Sequence, residues 1–370
     1  MFYIKGVKLN NFRCYDTKTL SFMPKINIIY GKNAVGKTTV LESIAYLGLL
    51  KSFRGAKDSD LIKNEEDFFF IKANFGATDE ELSDEVIVSY NENSKKIKKN
   101  NYIYQKNSDY IGYFNVVTFD PSDLDLVKGA PALRRSFLNI NLSQMDKTYM
   151  ISLMKYNKIL KRRNEYLKNT DANKIDYTYL DTITSLLAEE AQTIVQKRKE
   201  FVEKLDAYVN KYGKLISDDK ESIRIEYIPS CLSIDNIKDE YNNKIKKDIL
   251  LKTTTIGPHR DELKFYINEK EASIYASQGQ NRSIVISLKL GLSEYMKKLN
   301  DKQIVLLDDV FSELDSNRQM KLLSILQENC QIFITTTEVD HINQTILNNS
   351  NLIEFRKEIV WVFLTKTIKR

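Results

Sequence analysis

The 370 residues predict an α/β fold: a head built on a parallel sheet, a β-rich lobe, and an inserted α-helical domain shaped as a short antiparallel hairpin. Three observations predict it. The apolar run Ile26 to Tyr30 stops at a glycine-bearing loop, and helical spacing follows at Leu41, Ile44, Ala45 and Leu49, so strand, loop and helix come in that order. A second apolar run, Ile304 to Leu307, ends in Asp308 and Asp309, as a buried parallel strand does when it delivers carboxylates at its C-terminal end. Between them, Tyr149, Leu153, Tyr156, Leu160 and Leu167, then Ile183, Leu187, Ile194, Phe201, Leu205 and Tyr208, fall three, four or seven apart, the spacing of two long helices.

Tyr3 to Leu9 alternates like a strand at the start of the chain. Phe68 to Phe75, Glu85 to Tyr90 and Tyr113 to Phe119 read as the strands of the β-rich lobe. The polar stretch Asn169 to Lys174 separates the two helices and lets them fold back on each other, each ~50 Å long at 1.5 Å per residue, with mutual packing expected of their apolar stripes. From Ile223 to Ile256 the chain returns toward the head, and strands resume at Leu263 to Ile267 and Ile304 to Leu307. The expected division is residues 1–130 and 251–370 for the two parts of the head, and 131–250 for the helical insert.

The composition fits a compact globular chain: 42% hydrophobic, 29% charged, with 12 Gly and 5 Pro, which excludes disordered and collagen-like classes. Cys14, Cys231 and Cys330 are far apart and form no Cys-x-x-Cys pair, so neither a disulfide framework nor a zinc site is expected. Met1 to Lys8 lacks the apolar core of a signal peptide and Ile359 to Leu364 is too short to span a bilayer, which predicts a cytoplasmic protein without membrane contact. The net charge of +6 includes clusters at 95–99, 161–163, 197–199 and 244–247, each of which is either a solvated face or a phosphate contact.

The loop Gly31, Lys32, Asn33, Ala34, Val35, Gly36, Lys37, Thr38 has Walker A spacing. Its glycines let backbone N–H groups wrap phosphates, Lys37 reaches the β- and γ-phosphates, and the Thr38 hydroxyl binds Mg²⁺; Thr39 continues the site into the helix. ATP and Mg²⁺ are the cofactors expected. Asp308 has the Walker B position and completes the Mg²⁺ site. Asp309 follows it, where a general base orients or deprotonates the attacking water, so Lys37 and Asp309 are the candidate catalytic pair. Ser277-Gln278-Gly279-Gln280 opens a helical run 31 residues before Asp308 and looks like the ABC signature motif, in which Ser277, Gly279 and Gln280 meet a γ-phosphate. In ABC-type ATPases that motif contacts ATP held by a second subunit, so a homodimer with ATP between its heads is expected. Ser312 to Asp315 resembles the D-loop of the same interface, and Thr335 to Thr337 stands where many relatives place a His switch.

Three segments carry a closer resemblance. They are Phe119 to Pro131 with Arg134, Arg135, Phe137 and Leu138; Gly257-Pro258-His259-Arg260-Asp261; and Asp308 to Asp315. Together they resemble the RecF family, whose heads are like those of SMC proteins with the coiled coil cut down to a short helical domain. The resemblance implies ATP-dependent dimerisation on DNA, at gapped, junction or double-stranded sites, with slow DNA-stimulated ATP hydrolysis. It also implies action with RecO and RecR in loading recombinase at single-strand gaps, and a place near the nucleotide for Arg13 and Arg54. Asp120, Ser122 and Asn281 depart from the family pattern, and Asn351 to Arg370 lacks its usual glycine turn, so no function is placed in that tail. The competing readings are an OLD-type defence ATPase and a non-hydrolysing SMC-like DNA clamp.

Overall fold

The structure, a computed structural model, describes residues 1–78, 80–92, 94–231, 236–311, 314–327 and 330–356. Its centre is a five-stranded parallel sheet in the order Ser350–Glu354, Ile26–Tyr30, Gln331–Thr336, Gln303–Asp308, Asn115–Phe119. Every residue of the strands Gln303–Asp308 and Gln331–Thr336 is buried, because both sheet faces are covered and neither can carry a polar side. Alternate residues feed two cores. Ile304, Leu306 and Phe333 pack with Val40, Leu41 and Ile44 of the helix Lys37–Leu49, while Val305, Leu307 and Ile334 pack with Ile284 and Leu288 of the helix Gln278–Leu299.

The β-rich lobe is a six-stranded antiparallel sheet, ordered Tyr15–Ser21, Phe2–Phe12, Phe68–Ala77, Glu80–Asn91, Ser94–Lys99, Tyr102–Tyr104. It buries one face only: Val7 and Leu9, Phe69, Ile71 and Ala73, Val86 and Val88 alternate inward. The run Tyr113 to Phe119, expected in this lobe, goes elsewhere. Asn115–Phe119 is the edge strand of the parallel sheet beside Gln303–Asp308, and its burial is near-continuous rather than alternating.

The start of the tail takes part in the central sheet. Ser350–Glu354 is a parallel strand hydrogen-bonded along Ile26–Tyr30, so residues up to Phe355 belong to the central sheet. Residues 357–370 of that tail lie outside the described residues.

The helical insert departs from a simple hairpin in two ways. Its first arm is two helices, Pro131–Met145 and Lys147–Asn169, broken at Asp146, whose extended backbone and carboxylate cap the second of them by accepting the Tyr149 N–H at 3.0 Å. Its second arm, Tyr177–Ser217, has 41 residues and runs ~60 Å. Only part of its apolar stripe meets the first arm. Farther along, it crosses the helix Gln278–Leu299: Phe201 lies against Tyr295 at 5.6 Å between ring centroids, and a Cβ on Gly291 would be 3.1 Å from both Tyr208 Cβ and Val209 N. Mutual packing of the hairpin therefore explains only part of the stripe, and the helix Gln278–Leu299 and the strand Ile223–Ile228 cover other parts of it. The predicted strand Leu263 to Ile267 is found within Glu262–Ile267, in a separate three-stranded sheet with Ile223–Ile228 and Lys270–Glu271. No helix among the described residues is long and apolar enough to cross a membrane.

Candidate functional site

The loop 31–38 leaves the C-terminal end of a parallel strand, where open α/β sheets place their ligands. Gly31 has φ +146°, and a Cβ there would lie 2.1 Å from the Phe355 carbonyl oxygen. That carbonyl is fixed because the Phe355 N–H donates to Tyr30 O at 2.7 Å, so the tail strand itself demands this glycine. Gly36 (φ +96°) and Ala34 (φ +63°) are left-handed, which turns successive N–H groups toward one side, the geometry of an anion nest. The Tyr15 hydroxyl donates to Val35 O at 3.3 Å and sits where a Gly36 Cβ would go. No side chain caps the helix Lys37–Leu49, so its first N–H groups face the loop with the positive end of the helix dipole behind them.

Lys37 Nζ curls over the loop and donates to Gly31 O at 2.6 Å and Lys32 O at 2.9 Å. Burial holds its ammonium below the usual lysine range, against the fields of Asp309 and Asp308. Thr38 Oγ1 donates to Asp308 Oδ1 at 2.9 Å, across a sequence gap of 270 residues. Thr335 Oγ1 donates to the same oxygen at 2.6 Å and accepts the Asp309 N–H at 3.0 Å. Burial raises the Asp308 carboxyl, and the two threonine hydroxyls pull it back; the nearby Asp120 carboxylate adds to the rise and Arg54 opposes it. Asp309 has φ +53°, a left-handed turn that ends the strand immediately after Asp308. The paired oxygens of Thr38 and Asp308 suit Mg²⁺, which takes one or two protein ligands and fills the remaining octahedral positions with phosphate and water.

The other predicted residues separate. Arg13 grips Glu42 through Nε at 2.9 Å and Nη2 at 2.8 Å and reaches Asp60 O at 3.1 Å, so it braces the helix after the loop. Thr39 is buried on that helix with its hydroxyl 4.0 Å from Cys14 Sγ. Ser277 is the N-cap of Gln278–Leu299 in a capping box: its hydroxyl accepts the Gln280 N–H at 3.2 Å and the Gln280 side chain accepts the Ser277 N–H at 3.0 Å. Gly279 has open space around it, and Ile274 and Tyr275 beside the cap are 67% and 65% exposed. Among the described residues, none of Ser277, Gly279 and Gln280 is hydrogen-bonded to the loop 31–38. Of the predicted D-loop, Ser312 and Glu313 lie outside the described residues, and Asp315 caps the helix Ser316–Leu326.

Two arginines of the basic clusters are core residues. Arg163 and Asp248 pair at 2.8 Å with both side chains fully buried, and Arg198 pairs with Asp261 at 2.7 Å under 1% and 0% exposure. The sequence held the signal: Leu160, Arg163, Leu167 and Ile194, Arg198, Phe201 put each arginine on an apolar stripe, where a charge must find a buried partner. The segment 257–261 is the joint between insert and head. Asp261 also accepts the Tyr227 hydroxyl and the Ser230 N–H, and His259 bridges Tyr156 Oη at 2.6 Å and Thr254 O at 3.0 Å. Gly257 (φ +118°) lies under two phenols, since a Cβ would meet Tyr241 Oη at 2.1 Å and Tyr156 Oη at 2.5 Å.

Comparison with known proteins gives the same outline. Residues 3–359 match the family described as RecF/RecN/SMC N terminal domain. The chain is 40% identical over 350 residues to the DNA replication and repair protein RecF of Streptococcus thermophilus, covering 92% of this chain and 94% of the relative. Among solved structures it is similar to the recombination mediator protein RecF with ATP, of the RecFOR pathway, at 33% identity and a TM-score of 0.86 over 92% of this chain and 94% of that one. An Smc head domain from Pyrococcus furiosus shares the fold at 15% identity and a TM-score of 0.53, over 96% and 94% of the two chains.

Proposed function

Since this chain belongs to the RecF family of DNA replication and repair proteins, we propose that it is an ATP-driven switch of recombinational repair. Two copies close on DNA around two ATP molecules, and with RecO and RecR they help load recombinase at single-strand gaps. The observation that carries the reading is the chain of contacts from Thr38 through Asp308 to Thr335 and on to the Asp309 N–H, which ties the phosphate loop to the site of water attack. Mg²⁺ held by Thr38 and Asp308 would neutralise phosphate charge.

Each residue then has a task. Lys37 exchanges its two loop carbonyls for phosphate oxygens. The uncapped helix start and the left-handed loop supply N–H donors. Asp309, whose backbone N–H is held by Thr335 Oγ1, orients or deprotonates the attacking water. Ser277, already positioned as a helix cap and exposed, meets the γ-phosphate held by the second copy, and the exposed Ile274 and Tyr275 are covered in that contact. Asp is one methylene shorter than the Glu of many ABC sites, so turnover is slow, well below the ~1–1000 per second of typical enzymes.

The test is nucleotide binding and DNA-stimulated hydrolysis by Lys37→Met. Loss of both supports the reading; a variant that still dimerises with ATP on DNA rejects it. The non-hydrolysing clamp is separated by a single-turnover assay with DNA, in which the switch releases phosphate and the clamp does not.

A further inference from the structure

The lysine run 95–99 lies on a strand, and strand alternation sorts it. Lys95 and Lys99 turn to the covered side of the six-stranded sheet, where they pair with Asp58 at 3.0 Å and Asp84 at 2.7 Å. Lys96 and Lys98 lie on its open face and are exposed. Strand register sets their neighbours. One row across that face is Lys8, Lys72, Ile87, Lys98 and Ile103, and the next is Asn10, Phe70, Ser89 and Lys96. Phe68 shares the face, two residues from Phe70 on the same strand. Adjacent strands are ~4.8 Å apart, so Lys8 and Lys98 stand ~14 Å apart, three spacings.

Lys8, Phe68, Phe70, Lys72 and Lys96 line one groove of about 490 Å³, and no acidic side chain is among its walls. Lys72 pairs with Glu85 at 2.5 Å, whereas Lys8, Lys96 and Lys98 make no ion pair among the described residues. The open face of an antiparallel sheet ordinarily carries polar side chains, yet here Phe68 is 41% exposed and Ile103 is 55% exposed. Lysines alone would suit any polyanion, and the rings between them narrow the occupant. A duplex keeps the faces of its bases stacked inside, so only an unpaired base can lie on an aromatic ring. A single strand repeats an anion and a flat apolar face at every nucleotide, which is the alternation this surface carries.

We propose that the open face of the six-stranded sheet binds single-stranded DNA, with Lys8, Lys96 and Lys98 on its phosphates and unpaired bases stacked on Phe68 and Phe70. The proposal rests on the DNA-binding reading above and adds to it the surface and the strand type.

Phe68→Ala and the double variant Lys8→Gln with Lys96→Gln are made in the full chain. All three side chains are exposed, and unchanged ATP affinity and melting temperature verify that the fold is kept. Fluorescent oligothymidine and a duplex of the same length are titrated across salt concentrations, with an acidic phenylalanine-containing peptide as a third probe. Phe68→Ala should weaken oligothymidine binding about fivefold or more at an unchanged salt slope and leave the duplex within about twofold. The lysine variant should lower the oligothymidine slope of log K against log salt by ~1.4, at ~0.7 for each phosphate released. Unchanged oligothymidine binding in either variant overturns the proposal, as does a loss confined to the duplex or to the peptide. A wild-type chain that binds the duplex but not oligothymidine also overturns it while the DNA-binding reading stands; binding of neither rejects both.

Discussion

At the base of the insert, Arg198 and Asp261 are 1% and 0% exposed and each is turned on protein partners; at the head, Lys37 and Asp308 are each 9% exposed and rest on backbone carbonyls and threonine hydroxyls. Both regions bury charge. In the first the charges neutralise one another and the site is closed, so its work is to fix the insert on the head. In the second the cation and the carboxylate are held apart on neutral partners that a phosphate or a metal ion can replace. Buried charge marks structure where it is paired and function where it is held unpaired.

The contrast is broken most severely at the joint. Arg198→Met leaves Asp261 buried without its cation, and urea unfolding should show a loss of about 3–5 kcal/mol, while nucleotide affinity of the folded fraction stays within about twofold. A double variant, Arg198→Met with Asp261→Leu, should recover part of that loss; an equally unstable double variant would mean that the pair is not the source of the cost.

Acid sharpens the same region. Burial pushes His259 down to about 4 from its ordinary value near 6.5. Below pH ~6.5 the unfolded chain takes up a proton that the folded chain refuses until pH ~4, so this contribution is complete above pH ~6.5 and is lost as pH falls through that window, ~3 kcal/mol at most. Unfolding curves between pH 4 and 7 should be shallower in pH for His259→Gln than for the wild type, and parallel curves would remove His259 as the sensor.

At the nucleotide loop the expectation reverses. Lys37→Met should weaken ATP by about 100-fold or more, ~2.7 kcal/mol, measured by calorimetric titration, while the melting temperature without nucleotide barely moves. Thr335→Val is the mildest change. Removing one hydroxyl that serves both Asp308 and Asp309 should cost ~1 kcal/mol of stability and slow hydrolysis more than it weakens ATP binding, and a variant with unchanged single-turnover rate would dismiss Thr335 as a positioning residue.

Most of the head is legible in the sequence, because strand, loop and helix are contiguous there and the carboxylates follow an unbroken apolar run. Less legible is whatever depends on partners distant in the chain. Ser350–Glu354 is short and half polar, and only its pairing with Ile26–Tyr30 makes it a strand. Asn115–Phe119 reads as any apolar strand, and which sheet receives it is decided by contact with Gln303–Asp308. The break at Asp146 passes unnoticed because the apolar spacing continues in phase on both sides of it, although an aspartate three residues before Tyr149 is a cap. The buried arginines are written on the apolar stripes, yet a run such as Lys197-Arg198-Lys199 reads first as surface.

If the loop 31–38 is half of a site that a second copy completes through Ser277, sedimentation of Ser277→Arg with and without ATP, beside its ATP affinity as a monomer, decides it. The variant should bind ATP within about threefold of the wild type yet stay monomeric when ATP is added. A variant that dimerises with ATP as the wild type does, or one whose monomer no longer binds ATP, would contradict it.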